Sequence, residues 1–333
     1  MTKDDLTIWR EEIEELLPER IIDFHCHIWL RSHLPRGWSI ESSEIPLPCD
    51  EFPLDDLIRI EHELFPGREV KSVCFGLPVG EIDMAENNAY VSRSSRRIGG
   101  HPLMMPPLDA SVEELDEMVE EGGFIGFKPY WTFVRWKERE EVRIEDMVTE
   151  AQLEVANSRG LIILLHIPRR LRLADPDNLL SIEMIARRYP NLRLVIAHVG
   201  RSYCSWPARE GLDRLKDLEN VYFDTAMVQN AVVYQLLFRK IGLSRILFGT
   251  DLPIAREKGR VVCVNGVNLF VTERRFPWSL TPPEEVRCTF FAYEMLRAIR
   301  EAAELEGLPL RQLRPIFYDN AEGIIRDIKG VLG

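Results

Sequence analysis

The chain of 333 residues is 45% apolar and 29% charged, a balance that predicts a soluble globular protein with a sizeable core. Its formal net charge of -12 argues against nucleic acid or an anionic membrane surface as the main partner. Six cysteines (Cys26, Cys49, Cys74, Cys204, Cys263 and Cys288) are scattered without Cys-x-x-Cys spacing, which suits reduced thiols in a cytoplasm better than a disulfide framework. The acidic first residues lack the apolar core of a secretory signal, and no apolar run approaches a membrane span, so a cytoplasmic location is the expectation.

Taken in order, residues 4–17 space Leu6, Ile8, Trp9, Ile13, Leu16 and Leu17 at roughly helical intervals until Pro18 stops the pattern. Ile21 to Trp29 then reads Ile-Ile-Asp23-Phe24-His25-Cys26-His27-Ile-Trp29, a β-branched start closing on two histidines. Strand alternation puts Asp23, His25 and His27 on one face and Phe24 and Cys26 on the other. Two imidazoles on one face can grip one metal ion; one buried and one surface histidine is the structural alternative. Residues 31–53 are rich in Pro, Ser and charge and read as a long loop over the end of this strand. Residues 55–65 form a helix closed by Pro66-Gly67.

From there strands and helices alternate. Strands are predicted at Val70–Leu77, His101–Leu108 (weakened by its prolines), Phe124–Tyr130, Leu161–His166, Leu192–His198, Val221–Asp224 and Arg245–Asp251. Helices are predicted over 84–97, from the capping box Ser111-Val-Glu-Glu114 to Gly122-Gly123, and over 140–159, 177–189, 207–218 and 227–241. Residues 255–280 look like an inserted loop, and helices fill 283–305 and the segment after Asp319. Eight strands with helices between them, and no linker or break in composition, predict one α/β domain spanning 1–333, a (β/α)8 TIM barrel.

In such a barrel the C-terminal strand ends meet at one mouth. His25, His27, Lys128, His166, His198 and Asp251 each end an apolar strand, and four of the chain's seven histidines lie among them. The motifs are Asp23-Phe24-His25-Cys26-His27, Gly126-Phe127-Lys128-Pro129, His166 after Ile-Ile-Leu-Leu, Ala197-His198-Val-Gly200, Phe248-Gly249-Thr250-Asp251-x-Pro253, and a late Asn320-Ala321. In this order they resemble the amidohydrolase superfamily, within it the group that includes aminocarboxymuconate-semialdehyde decarboxylase, over about residues 20–325.

The resemblance implies a metal centre with His25, His27 and His166 as nitrogen ligands. Asp251 would be a carboxylate ligand and the proton acceptor for metal-bound water. An imidazole-plus-carboxylate set suits Zn2+, with Mn2+, Fe2+ or Co2+ nearly as well. His198 has two readings: it handles protons or polarises substrate beside a single metal, or it binds a second metal. Lys128 is either a plain ammonium paired with nearby acids, the favoured reading, or a carboxylated lysine bridging two metals. Asp23, one pleat deeper, could orient a ligand. The structural alternatives are a capped core histidine for His166 and a helix cap or loop salt bridge for Asp251.

Arg201, three residues after His198, and Arg169 and Arg170, just after His166, suggest an anionic, carboxylate-bearing small molecule; for any one of them pairing with Asp175, Asp177 or Glu210 is the alternative. Trp29, Tyr130 and Trp131 could wall a pocket for a flat substrate, and residues 31–53 and 255–280 are expected to lid it. Three functions follow. The first is a metal-dependent hydrolase. The second is a non-oxidative decarboxylase on the same fold, and the third a barrel that binds metal or ligand without catalysis. Relatives are often homodimers.

Overall fold

The computed structural model describes residues 1–332. Strands β1 (Arg20–His27), β2 (Glu69–Phe75) and β3 (His101–Pro102) pair in parallel, as do β4 (Gly126–Phe127), β5 (Ile162–Leu165), β6 (Arg193–Ile196), β7 (Val221–Asp224) and β8 (Ile246–Leu247). Backbone hydrogen bonds close both seams between these two groups. Between β3 and β4, Met104 N donates to Gly126 O at 2.9 Å and Lys128 N to Met104 O at 2.7 Å. Between β8 and β1, Phe24 N donates to Phe248 O at 2.8 Å and His27 N to Leu252 O at 2.9 Å. The ring is a parallel eight-stranded TIM barrel. Its strands are apolar on both faces because side chains fill the inside and helices cover the outside: all four residues of β5 are fully buried.

The predicted helices largely appear, and the departures have local causes. The helix expected over 140–159 is two, Ile144–Met147 and Glu150–Arg159. Thr149 breaks it by capping the second: its hydroxyl accepts from Gln152 N, and its own N–H donates to the Gln152 side chain, each at 3.3 Å. The helix expected from 283 begins at Phe291, after the prolines at 282 and 283. The third strand shrinks to two residues, one of them a proline without an N–H to give the ladder.

Two corrections bear on the site. Strand β1 is not a regular alternation, because its pairing passes from Asp23↔Ser72 to Cys26↔Cys74 and so carries one extra residue. The bulge turns the Asp23 carboxylate away from the histidine rings: it accepts from His25 N at 3.1 Å and lies within 4.8 Å of the Cys26 thiol and the Glu61 carboxylate, the latter from the helix Leu54–Leu64. Residues 255–280 are not a plain loop but carry an antiparallel hairpin, β9 (Gly259–Val264) and β10 (Val267–Thr272). Its turn is Asn265-Gly266 with φ of 49° and 81°, the left-handed pair that a two-residue hairpin turn requires.

The cysteine reading is corrected as well. Cys204, just after β6, is disulfide-bonded to Cys263 on β9, while Cys26, Cys49, Cys74 and Cys288 are free. No helix among the described residues is long and apolar enough to cross a membrane.

Candidate metal centre

The bulge and the β8–β1 seam bring together three side chains from the two ends of the chain. His25 Nε2 lies 3.3 Å and His27 Nε2 3.2 Å from the same oxygen, Asp251 Oδ1. The outer nitrogens are tied elsewhere: His25 Nδ1 to Asp224 Oδ2 at 2.8 Å and His27 Nδ1 to Gly76 O at 3.0 Å. Both acceptors assign the proton to Nδ1 and leave the Nε2 lone pairs facing Asp251. A tetrahedral ion with bonds of about 2.0–2.1 Å holds neighbouring ligand atoms about 3.3 Å apart, the spacing seen here. Two buried polar atoms nearby, His166 Nδ1 and Lys128 Nζ, have no hydrogen-bond partner, as a pocket built for an additional group would leave them. The donor set fits a divalent metal. His25, His27 and Asp251 form a compact set with ligand atoms within 4.8 Å of one another; His166 stands outside that set, its ring 5.2 Å from that of His198 and 4.5 Å from that of Tyr130.

Asp224, at the end of β7, organises the site from behind. One of its oxygens takes the His25 Nδ1–H; the other accepts from His198 N at 2.7 Å and Ala226 N at 3.1 Å. His198 Nδ1 in turn lies 3.0 Å from Ala226 O, so this ring also keeps Nε2 free. The backbone that holds it is unusual: His198, Val199, Gly200 and Arg201 have φ of 55°, 49°, 63° and 60°, one turn of left-handed helix. Each non-glycine residue there costs about 1–2 kcal/mol, a strain concentrated beside the proposed chemistry. Gly200 is required twice over, since a Cβ there would come within 2.8 Å of Leu173.

Burial acts on every charge in the site. It works to raise the Asp251 carboxyl, but His25, His27 and His198 outweigh it and hold Asp251 well below the usual carboxylate range. For His25, burial is overcome by Asp224 and Asp251, which raise it. His198 is pushed down to about 4 by burial, which outweighs the opposing pull of Asp251, so it is neutral at pH 7 with an open acceptor nitrogen. Lys128 is fully buried and brought down to about 8 by burial, against the pull of Asp224 and Asp251. It forms no ion pair among the described residues, and its Nζ sits 5.1 Å and 5.2 Å from the Phe75 and Tyr130 rings. The expected pairing with nearby acids is therefore a through-space one.

A cavity of about 80 Å³ opens over this floor, walled by Tyr130 and Tyr203 and roofed by Ile45 to Pro48 and Phe270. Both expected lids thus meet the site, and Trp278 Nε1 ties them together through Leu47 O at 3.1 Å. Other expectations fail. Trp29 is fully buried away from the cavity, with its Nε1 on Asp50 O at 2.8 Å. Arg169 is held by Asp175 at 3.0 Å and Asp177 at 3.2 Å, and Arg170 is exposed. Asp23 reaches the ligands through backbone, accepting from His25 N at 3.1 Å, from Thr250 N at 2.9 Å and from Thr250 Oγ1 at 2.5 Å, and so fixes the chain at His25 and the chain leading into Asp251. Arg201 is not among the residues lining the cavity; it has no carboxylate within ion-pair distance among the described residues and donates only to Arg169 O, at 3.0 Å.

Sequence reasoning missed Asp224 and Tyr203. Asp224 carried the same signal as the others, a polar residue ending the apolar run Val-Tyr-Phe. Its substitution by Asn tests its role. The amide still accepts from His198 N but cannot accept the His25 Nδ1–H, so metal affinity should fall about 10–100-fold, read by competition with a chromophoric chelator.

The geometry can be set beside known proteins. No curated protein matches the sequence significantly. Among solved structures, a Pseudomonas putida protein provisionally assigned as a 2-pyrone-4,6-dicarboxylic acid hydrolase shares 17% identity at a TM-score of 0.57, covering 93% of this chain and 99% of that one. A Burkholderia multivorans amidohydrolase with bound zinc shares 14% identity at 0.57, covering 92% and 99%. The 2,6-dihydroxybenzoate decarboxylase from Rhizobium shares 12% identity at 0.54, covering 93% and 99%. At these identities the likeness is one of fold. The sequence itself matches the amidohydrolase family model over residues 22–326, from the strand carrying the paired histidines to the last helix, and the chain belongs to the amidohydrolase family.

Proposed function

We propose that the protein is a metal-dependent hydrolase acting on a small, carboxylate-bearing molecule. The observation that carries this reading is the spacing of His25 Nε2, His27 Nε2 and Asp251 Oδ1, with a neutral His198 beside them. Zinc is the first choice for two imidazoles and a carboxylate, with His166 a further nitrogen donor; manganese, iron or cobalt suit the same donors. A divalent ion held there supplies Lewis acidity and makes water a nucleophile near neutral pH.

The chain's own residues do the rest. Asp251, held ionised, and His198, neutral with Nε2 free, are the two groups able to accept a proton from water and return it to a leaving group. Tyr130 and Tyr203 are pushed above the ordinary phenol range, first by burial and then by Asp251, so their hydroxyls remain hydrogen-bond donors. Arg201, without an acid of its own, is the anchor for a substrate carboxylate.

A second reading, non-oxidative decarboxylation, uses the same residues and is favoured by a buried Lys128 whose Nζ has no hydrogen-bond partner among the described residues. The test is a panel of cyclic carboxylic acids carrying lactone, amide or ester bonds, offered to zinc-loaded protein. Acid release without CO2 supports hydrolysis, CO2 release supports the second reading, and no turnover with any member supports a binding barrel. On whichever acid turns over, Arg201→Ala should raise KM at least about tenfold with kcat less affected, the loss of a charge-assisted anchor.

A further inference from the structure

The β9–β10 hairpin pairs with no strand of the barrel; at its base Leu280 N donates to Phe270 O at 2.8 Å and Thr272 N to Leu280 O at 2.9 Å, and its tip has little stability of its own. The hairpin nevertheless delivers Phe270 to the cavity roof. Near its tip the body of the protein holds it at three points. Trp206 Nε1 donates to Gly266 O at 2.9 Å, Arg172 donates to the Asn268 side chain, and Cys263 is bonded to Cys204. Only the last is covalent, and it spans 59 residues of sequence.

Its anchor is placed with consequence. Cys204 is buried and follows Tyr203, whose ring faces Phe270 edge-on at 5.9 Å and lies 6.0 Å from that of His198. On the hairpin, Cys263 pairs with Asn268, two residues from Phe270. One bond therefore joins the segment that carries one aromatic wall to the strand that carries the other. Cys263 is also an exposed residue, within reach of a thiol, as labile disulfides are.

We propose that the Cys204–Cys263 disulfide is a latch that sets the gap between Phe270 and Tyr203, and that its reduction opens the roof of the site. The step needs a dithiol. One thiolate attacks the Cys263 sulfur and displaces the Cys204 thiolate; the second thiolate then displaces Cys263. The dithiol leaves as its cyclic disulfide, two electrons having passed to the protein, and both cysteines take up protons. Tyr203 and Phe270 become specificity-determining residues under redox control.

The test uses the full-length protein, oxidised, reduced with dithiothreitol, and as the Cys204→Ser/Cys263→Ser double variant. Hydrogen exchange of amides 262–270 should speed up at least about tenfold on reduction, as for a segment moved to the low end of local stability, and the double variant should exchange as fast without reductant. Unchanged exchange in both overturns the latch. So does alkylation of all six cysteines, in place of four, in protein unfolded in denaturant and never exposed to reductant. A second readout rests on the metal reading of the site: dipicolinate should strip zinc several times faster from reduced than from oxidised protein. Protein that binds no zinc would sink that reading, while the exchange measurement would still judge the latch. Cys288→Ser should leave both rates unchanged and respond to dithiothreitol as the native chain does.

Discussion

Asp251→Asn protein, purified and zinc-loaded like the native chain, should hold far less metal and lose at least about 10³-fold in turnover. The amide removes a charged ligand atom and a proton acceptor together, and general-base removal alone accounts for about 10²–10⁴ in rate. The change also leaves His25 and His27 facing a neutral amide in place of the charged oxygen 3.2–3.3 Å from both. The informative comparison is His198→Gln. That ring hangs from Ala226 O through Nδ1 and lies outside the compact His25–His27–Asp251 set, so its loss should lower turnover by about 10²-fold or more and leave one zinc per chain. Elemental analysis and turnover, measured on the same samples, separate the two roles. Full metal content in Asp251→Asn would displace Asp251 from the ligand set; loss of metal in His198→Gln would make His198 a ligand instead of a proton carrier.

The barrel was legible because its strands are short apolar runs that each stop at a polar residue, and because helical periodicity separates them. The same feature pointed to His25, His27, Lys128, His166, His198 and Asp251. Asp224 carried the signal too and was passed over because a carboxylate ending a strand has no motif around it. What sequence could not show is where backbone departs from its period. The extra residue in β1 moves Asp23 from the histidine side to the Cys26–Glu61 side, and nothing local to Asp23-Phe24-His25 announces it. The left-handed turn at 198–201 is equally silent apart from Gly200. The hairpin at 259–272 was readable, since Asn265-Gly266 between β-branched residues is a strong turn signal. The Cys204–Cys263 pairing was not, because only the folded barrel brings residues 59 apart into register. Partnership decided the arginines: Arg169 found Asp175 and Asp177, whereas Arg201 kept its charge unspent.

Glu61→Gln should make the protein more stable at pH 8 while changing little at pH 4. Glu61 is buried beside Ser72 and Asp23, and its carboxyl is raised to about 8, mainly by burial, with Asp23 adding and Ser72 opposing. Unfolded, it returns to its ordinary 4.5. Between those values the folded chain keeps a proton that the unfolded chain gives up, so stability falls as pH rises from 4.5 to about 8 and levels off above. The full span is worth on the order of 4–5 kcal/mol at 1.36 kcal/mol per unit. Glutamine reproduces the protonated form, keeps an acceptor for Ser72, and removes this slope. Asp23, raised to about 6 by burial, should leave a smaller slope that ends near pH 6 in the variant. Thermal melts of both proteins from pH 4 to pH 9 measure the difference, and parallel curves would mean that Glu61 is ionised in the folded chain throughout. The consequence reaches the site: Asp23 holds Thr250, and Thr250 leads into Asp251. A second negative charge at Glu61 therefore loosens the junction of β8 and β1 on which the paired histidines and their shared carboxylate depend.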